Sequence, residues 1–124
     1  MILKVLKDYV ASSVTGSYYV GFLPSVNTAT AFIPTGGMMP EVQHGYNKPT
    51  FQVVTRDTDY SAGYIKAMAI YNKLQGLAGT VGSYFIVQVQ ALQSEPATFR
   101  DDQERHTFTQ NYLVEYRYLT ENRE

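Results

Sequence analysis

Apolar side chains open the chain at Ile2, Leu3, Leu6, Tyr9 and Val10, with Lys4, Lys7 and Asp8 elsewhere around the wheel. That spacing predicts a short amphipathic helix. The run Ser12, Ser13, Val14, Thr15 favours turns over helix and should end it by Gly16. The period then switches to two. Residues 17–23 and 28–33 are short, rich in β-branched and aromatic residues, and separated by Pro24, Ser25, Val26 and Asn27, which reads as two strands joined by a hairpin or tight connection. Residues 34–48 hold Gly36, Gly37, Pro40 and Gly45 and read as a long loop, a length usually reserved for function or mobility.

A third strand is predicted at residues 50–55, with Phe51, Val53 and Thr55 on one face and Gln52, Val54 and Arg56 on the other. Asp57, Thr58 and Asp59 supply N-caps for the main helix, whose Tyr64, Ala67, Met68, Tyr71 and Leu74 recur at helical spacing opposite Lys66 and Lys73. It should end at Gly76 or Gly79. Gly63 falls on its apolar side, where helix and sheet backbones approach closely. Residues 82–92 read as a central strand, apolar on both faces at its start. Residues 106–119 alternate Phe108, Tyr112, Val114, Tyr116 and Tyr118 against Thr109, Asn111, Glu115 and Arg117. Between them, residues 93–105 form a solvated hairpin loop. The expected fold is α+β: a single domain over residues 1–124, with a mostly antiparallel or mixed sheet of about five strands and two helices packed on one side.

Charge changes the picture more than length does. Ten basic and eleven acidic residues leave a net charge of −1, a poor footprint for nucleic acid or an anionic membrane. Absent cysteine removes disulfides, thiolate metal sites and cysteine nucleophiles together. The charges are also unevenly spread: none falls between Tyr9 and Pro40 or between Leu74 and Ser94. Uncharged, hydrogen-bonding stretches in a chain with 11 tyrosines and no tryptophan match the composition of interface centres as well as that of buried central strands.

Candidate chemistry is sparse. The glycine stretches match neither a phosphate loop nor a dinucleotide fingerprint, and no elbow-type sequence frames a serine nucleophile. Asp101, Asp102, Glu104 and His106 gather four oxygen or nitrogen ligands, but without the spacing of a calcium loop and with Arg100 and Arg105 among them. A solvated acidic loop is the plainer reading, and His44, near Glu41, is read as an exposed loop residue. Arg56 beside Asp57 and Asp59 is the most pointed charged group: a salt bridge or helix cap on one reading, an intersubunit contact on the other. Met38 and Met39 are adaptable apolar surface or core.

The order of helix, strand ending Tyr19-Val20-Gly21, Phe32 to Gly37 (FIPTGG), Pro49 to Arg56 (PTFQVVTR) and Tyr60 to Leu77 (YSAGYIKAMAIYNKLQGL) resembles the tail-terminator proteins of long-tailed phages, often labelled minor capsid or head-tail joining proteins. Pro96, Asp101, Asp102, Arg105, Phe108 and Asn111, followed by an alternating strand, resemble that group's loop and last strand. The resemblance implies a sheet backed by helices and a ring, typically of six copies, that caps the tail tube, stops its polymerisation and offers its other face to the head connector. It implies a virion protein at the tail-head junction, made in the bacterial cytoplasm. Its partners would be itself, the tail tube protein and a head-completion or connector protein, with no membrane and no sequence-specific nucleic acid. It implies no catalytic residues and no cofactor. Interface candidates are then Arg56, Asp57, Asp59, Met38, Met39, Arg100, Asp101, Asp102 and Arg105. The alternatives are a head-side connector completion protein or, from a different class, a small metal-dependent hydrolase or ligand-binding module.

Overall fold

A computed structural model describes residues 1–41, 46–101 and 103–119. Two helices, α1 (Ile2–Ala11) and α2 (Tyr60–Leu74), pack against one sheet of seven strands: β1 (Tyr18–Val20), β2 (Ala29–Glu41), β3 (Tyr46–Asp57), β4 (Gly79–Val81), β5 (Tyr84–Ala91), β6 (Ala97–Arg100) and β7 (His106–Tyr118). The strand order is β1-β2-β3-β7-β5-β4, with β6 also on β7. The α+β class and the two helices on one side stand; the sheet has more strands than the sequence pattern predicts.

Three differences have physical causes. The first two strands are not a hairpin, because β1 and β2 run parallel, with Tyr18 beside Thr30 and Val20 beside Phe32. The proline-centred stretch that looks like a turn is a return crossover at residues 21–28. Most of the expected loop at 34–48 is strand, because β2 and β3 stay paired to Glu41 and Tyr46. Its glycines and prolines mark register shifts at Pro34/Gly36 and Met38/Glu41, where bulges use up the irregular residues. Gly37 lies so close to the Pro49 backbone that no side chain fits there. Finally, the expected loop at 93–105 contains β6, which continues the line of β5 along the same edge of β7, so residues 97–100 are strand rather than loop.

The helices share one face of the sheet and one core. Ile2, Leu3, Leu6 and Val10 of α1 and Ile70 and Leu74 of α2 meet Phe32, Phe51, Val53, Ile86, Val89, Tyr112 and Val114. Phe32, Phe51 and Tyr112 stack across β2, β3 and β7 with centroids 5.9 and 5.2 Å apart. Gly63 permits this packing near the start of α2: a Cβ there would lie 2.5 Å from Phe108 Cε1. The β5 pattern, apolar on both faces at first, is explained by a bulge between Ile86 and Gln88, which turns Ile86 and then Val89 to the same core.

Candidate functional site

Among the described residues no helix lies on the opposite face of the sheet. Arg56 stands on it, since Phe51, Val53 and Thr55 alternate to the core side. Ala29, Ala31 and Val54 are buried, and the crossover at residues 21–28 is tied to this face through Arg56. Arg56 Nη1 donates to the Pro24 carbonyl at 2.6 Å and to that of Val26 at 3.2 Å. Arg105 Nη1 donates to the Ser25 and Val26 carbonyls at 3.1 and 3.2 Å. The two guanidiniums share one carboxylate: Asp101 Oδ2 lies 2.8 Å from Arg105 Nε and 3.8 Å from Arg56 Nε. Two arginines from distant parts of the chain thus clasp one loop.

Asp101 also shapes its own hairpin. Its Oδ1 accepts the backbone N–H groups of Gln103 and Arg105, both at 2.9 Å. The Arg105 backbone N–H foremost, with the Arg105 guanidinium and the Gln103 N–H, holds the carboxyl below its ordinary pKa against partial desolvation. Burial, then the neighbouring Arg105 charge, lowers that of Arg56.

The other candidates have separate places. Asp59 caps α2, its Oδ2 accepting from Ala62 N at 3.0 Å, while Asp57 Oδ1 accepts from Asp59 N at 2.9 Å. Arg100 pairs with Glu104 at 3.2 Å on the exposed hairpin rim. Met38 and Met39 lie on β2, Met38 in register with Lys48. Asp102 and His44 lie outside the described residues. His106, grouped by sequence with the acidic loop, instead sits edge-on to Tyr60 at 5.4 Å. Among the described residues no three His, Asp or Glu side chains gather as metal ligands do.

Two features have no counterpart in the sequence pattern. Residues 92–96 leave the β5–β6 line as an excursion, and the Gln93 side chain takes the place of the missing strand. Its Oε1 accepts Asn111 N at 2.9 Å and Asn111 Nδ2 at 2.8 Å, and its carbonyl accepts Gln110 Nε2 at 2.8 Å. Secondly, several large apolar side chains are open to solvent: Phe22 (57% exposed), Val26 (46%), Leu92 (52%) and Phe99 (55%). Val26 belongs to the clasped crossover, and Phe99 stands in register with Thr107. Only the long uncharged stretches hint at such surface in the sequence.

A mixed seven-stranded sheet thus packs one face against two helices, while the crossover loop is tethered through Arg56 on the other. The family model for the bacteriophage tail terminator protein matches residues 2–118, and the chain belongs to that family of phage structural proteins. Among solved structures it is similar to a chain in the virion of a native gene transfer agent particle, at 12% identity and a TM-score of 0.65, covering 86% of this chain and 83% of that one. At that identity the likeness is one of fold. No curated protein sequence matches.

Proposed function

We propose that this protein is the ring subunit that caps a completed phage tail tube, stops its growth and presents the joining surface to the head connector. The family match along residues 2–118 carries this reading. The absence of charge from residues 9–40 and 74–94, which leaves exposed side chains such as Phe22, Val26 and Leu92 in uncharged surroundings, supports it, since a ring subunit must contact its neighbours as well as the tube and connector. Near-zero net charge limits repulsion among copies. The work is done by packed surfaces, and the partners are further copies of itself, six in the closed ring, the tail tube protein and a head-completion protein at the tail-head junction. A nonsense mutation in the gene, with electron microscopy of the lysate, tests it: overlong tubes without heads are expected. Normal-length tails detached from heads would assign the protein to joining alone, and normal virions would refute both roles.

A further inference from the structure

We propose that copies of this chain join through their sheets, the outer edge of β1 in one copy pairing antiparallel with the outer edge of β6 in the next. The inference rests on the ring reading above and assigns the two unlike surfaces such a ring requires. Register places both edges at one level: Tyr18, Thr30, Thr55, Phe108 and Thr98 lie side by side across β1, β2, β3, β7 and β6. Among the described residues no strand lies beyond β1 or beyond β6. The edge of β5, in line with β6, is closed by contrast. Its start is covered by β4, and further on the Gly76 N–H donates to the Val89 carbonyl at 2.8 Å, the Val89 N–H to the Leu77 carbonyl at 3.0 Å and the Ala91 N–H to Gln75 Oε1 at 2.6 Å.

Each edge turns a row of backbone groups outward. The Ser17 carbonyl accepts the Thr30 N–H and the Gly21 N–H donates to the Phe32 carbonyl, both at 2.9 Å, so the N–H and C=O of Tyr18 and Val20 point away from β2. The Asp101 N–H donates to the Arg105 carbonyl at 3.0 Å, which puts Phe99 and Ala97 on the β7 side and turns the backbone groups of Thr98 and Arg100 outward. What completes such a row is another strand, and edges that must stay free carry charge, proline or a bulge. Among residues 18–20 and 97–100 only Arg100 is charged, it is paired with Glu104, and none is proline. A second copy supplies the strand in the required sense. In the subunit β1 runs with β2 and β7, while β6 runs against them. Rotation about an axis along the strands preserves those directions and the common level, so β6 of one copy meets β1 of the next as an antiparallel pair with no shift along the axis, the condition for a ring rather than a filament. Tyr18 then faces Thr98 as a hydrogen-bonded pair. On the face without helices Tyr19, its ring 5.7 Å from that of exposed Phe22, falls opposite Ala97 and next to exposed Phe99, so aromatic side chains meet across the seam.

The chain holds no cysteine, which makes disulfide trapping clean. Tyr19 and Ala97 would face each other as a non-hydrogen-bonded pair, the closer kind, so a chain carrying both Tyr19→Cys and Ala97→Cys should cross-link in purified virions into a ladder beyond dimer, while either single variant stays monomeric. Thr98→Pro removes only an outward N–H, so circular dichroism of the purified variant should match wild type, while phage carrying it should make the overlong tubes of the nonsense mutant. Virions that hold the double variant without a ladder would overturn this pairing and leave the ring reading intact, and so would normal tails from a folded Thr98→Pro variant. A ladder that stops at dimer would replace the head-to-tail pairing by a two-fold contact. Absence of the protein from virions would refute the ring reading and the pairing with it.

Discussion

Arg105 is the charged side chain most deeply placed among the described residues, 6% exposed, and its partners lie up to eighty positions away in the chain. Removing it leaves the Ser25 and Val26 carbonyls and part of the Asp101 carboxylate unpaired, so Arg105→Ala should cost about 3 kcal/mol in urea unfolding. Arg105→Lys should recover little of that, because an ammonium lacks the fork that reaches carboxylate and carbonyls together. A wild-type midpoint for either variant would show that the clasp contributes nothing. Asp101 adds a pH dependence with a definite sign. Its folded pKa is depressed, so its contribution is present above the unfolded value of about 3.9 and is lost as pH falls through the folded one. The stability gap between wild type and Asp101→Asn should therefore close in acid below about pH 4, and a gap unchanged there would contradict the assignment. Arg56, read from sequence as either a salt bridge or helix cap or an intersubunit contact, has a duty inside the subunit through Asp101, Pro24 and Val26. Arg56→Glu would set a carboxylate against those carbonyls and Asp101, so its folding must be measured before any assembly defect is interpreted.

At the scale of the element, legibility followed the range of the deciding contact. The face of α1, the Asp59 cap and the alternation of β7 were readable because neighbours within a few positions determine them. Gly63 was readable as a close approach for the same reason, being on the apolar stripe of α2. Gly63→Ala should destabilise by about 1–3 kcal/mol despite the better helix propensity of alanine, because the added methyl meets Phe108 and the Asp57 Cβ at 3.1 Å. The parallel pairing of β1 was not readable, since Arg56 and Arg105, some thirty and eighty positions away, hold the crossover that a local reading takes for a turn. Three-residue β4 is too short to show a period, and β6 is separated from its continuation β5 by the excursion. The role of Gln93 is of this kind as well: a side chain that stands in for a strand leaves no periodic trace. Gln93→Ala should cost about 1–2 kcal/mol and speed amide exchange at Asn111 above that of its β7 neighbours, because one donor loses its acceptor inside the sheet. Equal protection along β7 in the variant would refute that substitution of side chain for backbone.

For the whole molecule, the tyrosines divide between the core and the surface. The sequence showed their number but not their division, which depends on the curl of the sheet. Tyr112 is fully buried between β3 and β5, and Tyr84, Tyr116 and Tyr118 form a cluster with centroids 5.1 to 6.0 Å apart at the far end of β7. Burial pushes the Tyr18 and Tyr116 hydroxyls up to about 12 and raises Tyr112 and Tyr84 as well. An acid whose folded pKa is raised stabilises the native state fully below the unfolded value, about 10, and loses that contribution as pH climbs toward the folded value. Several such groups acting on one core predict cooperative alkaline unfolding between about pH 10 and 12, rather than gradual loosening. Tyrosinate absorbance should then rise in two stages, exposed rings first and the buried set only as far-UV circular dichroism collapses. All tyrosines ionising as one class near pH 10, with the dichroism intact, would mean that the sheet does not hold these rings in a common core.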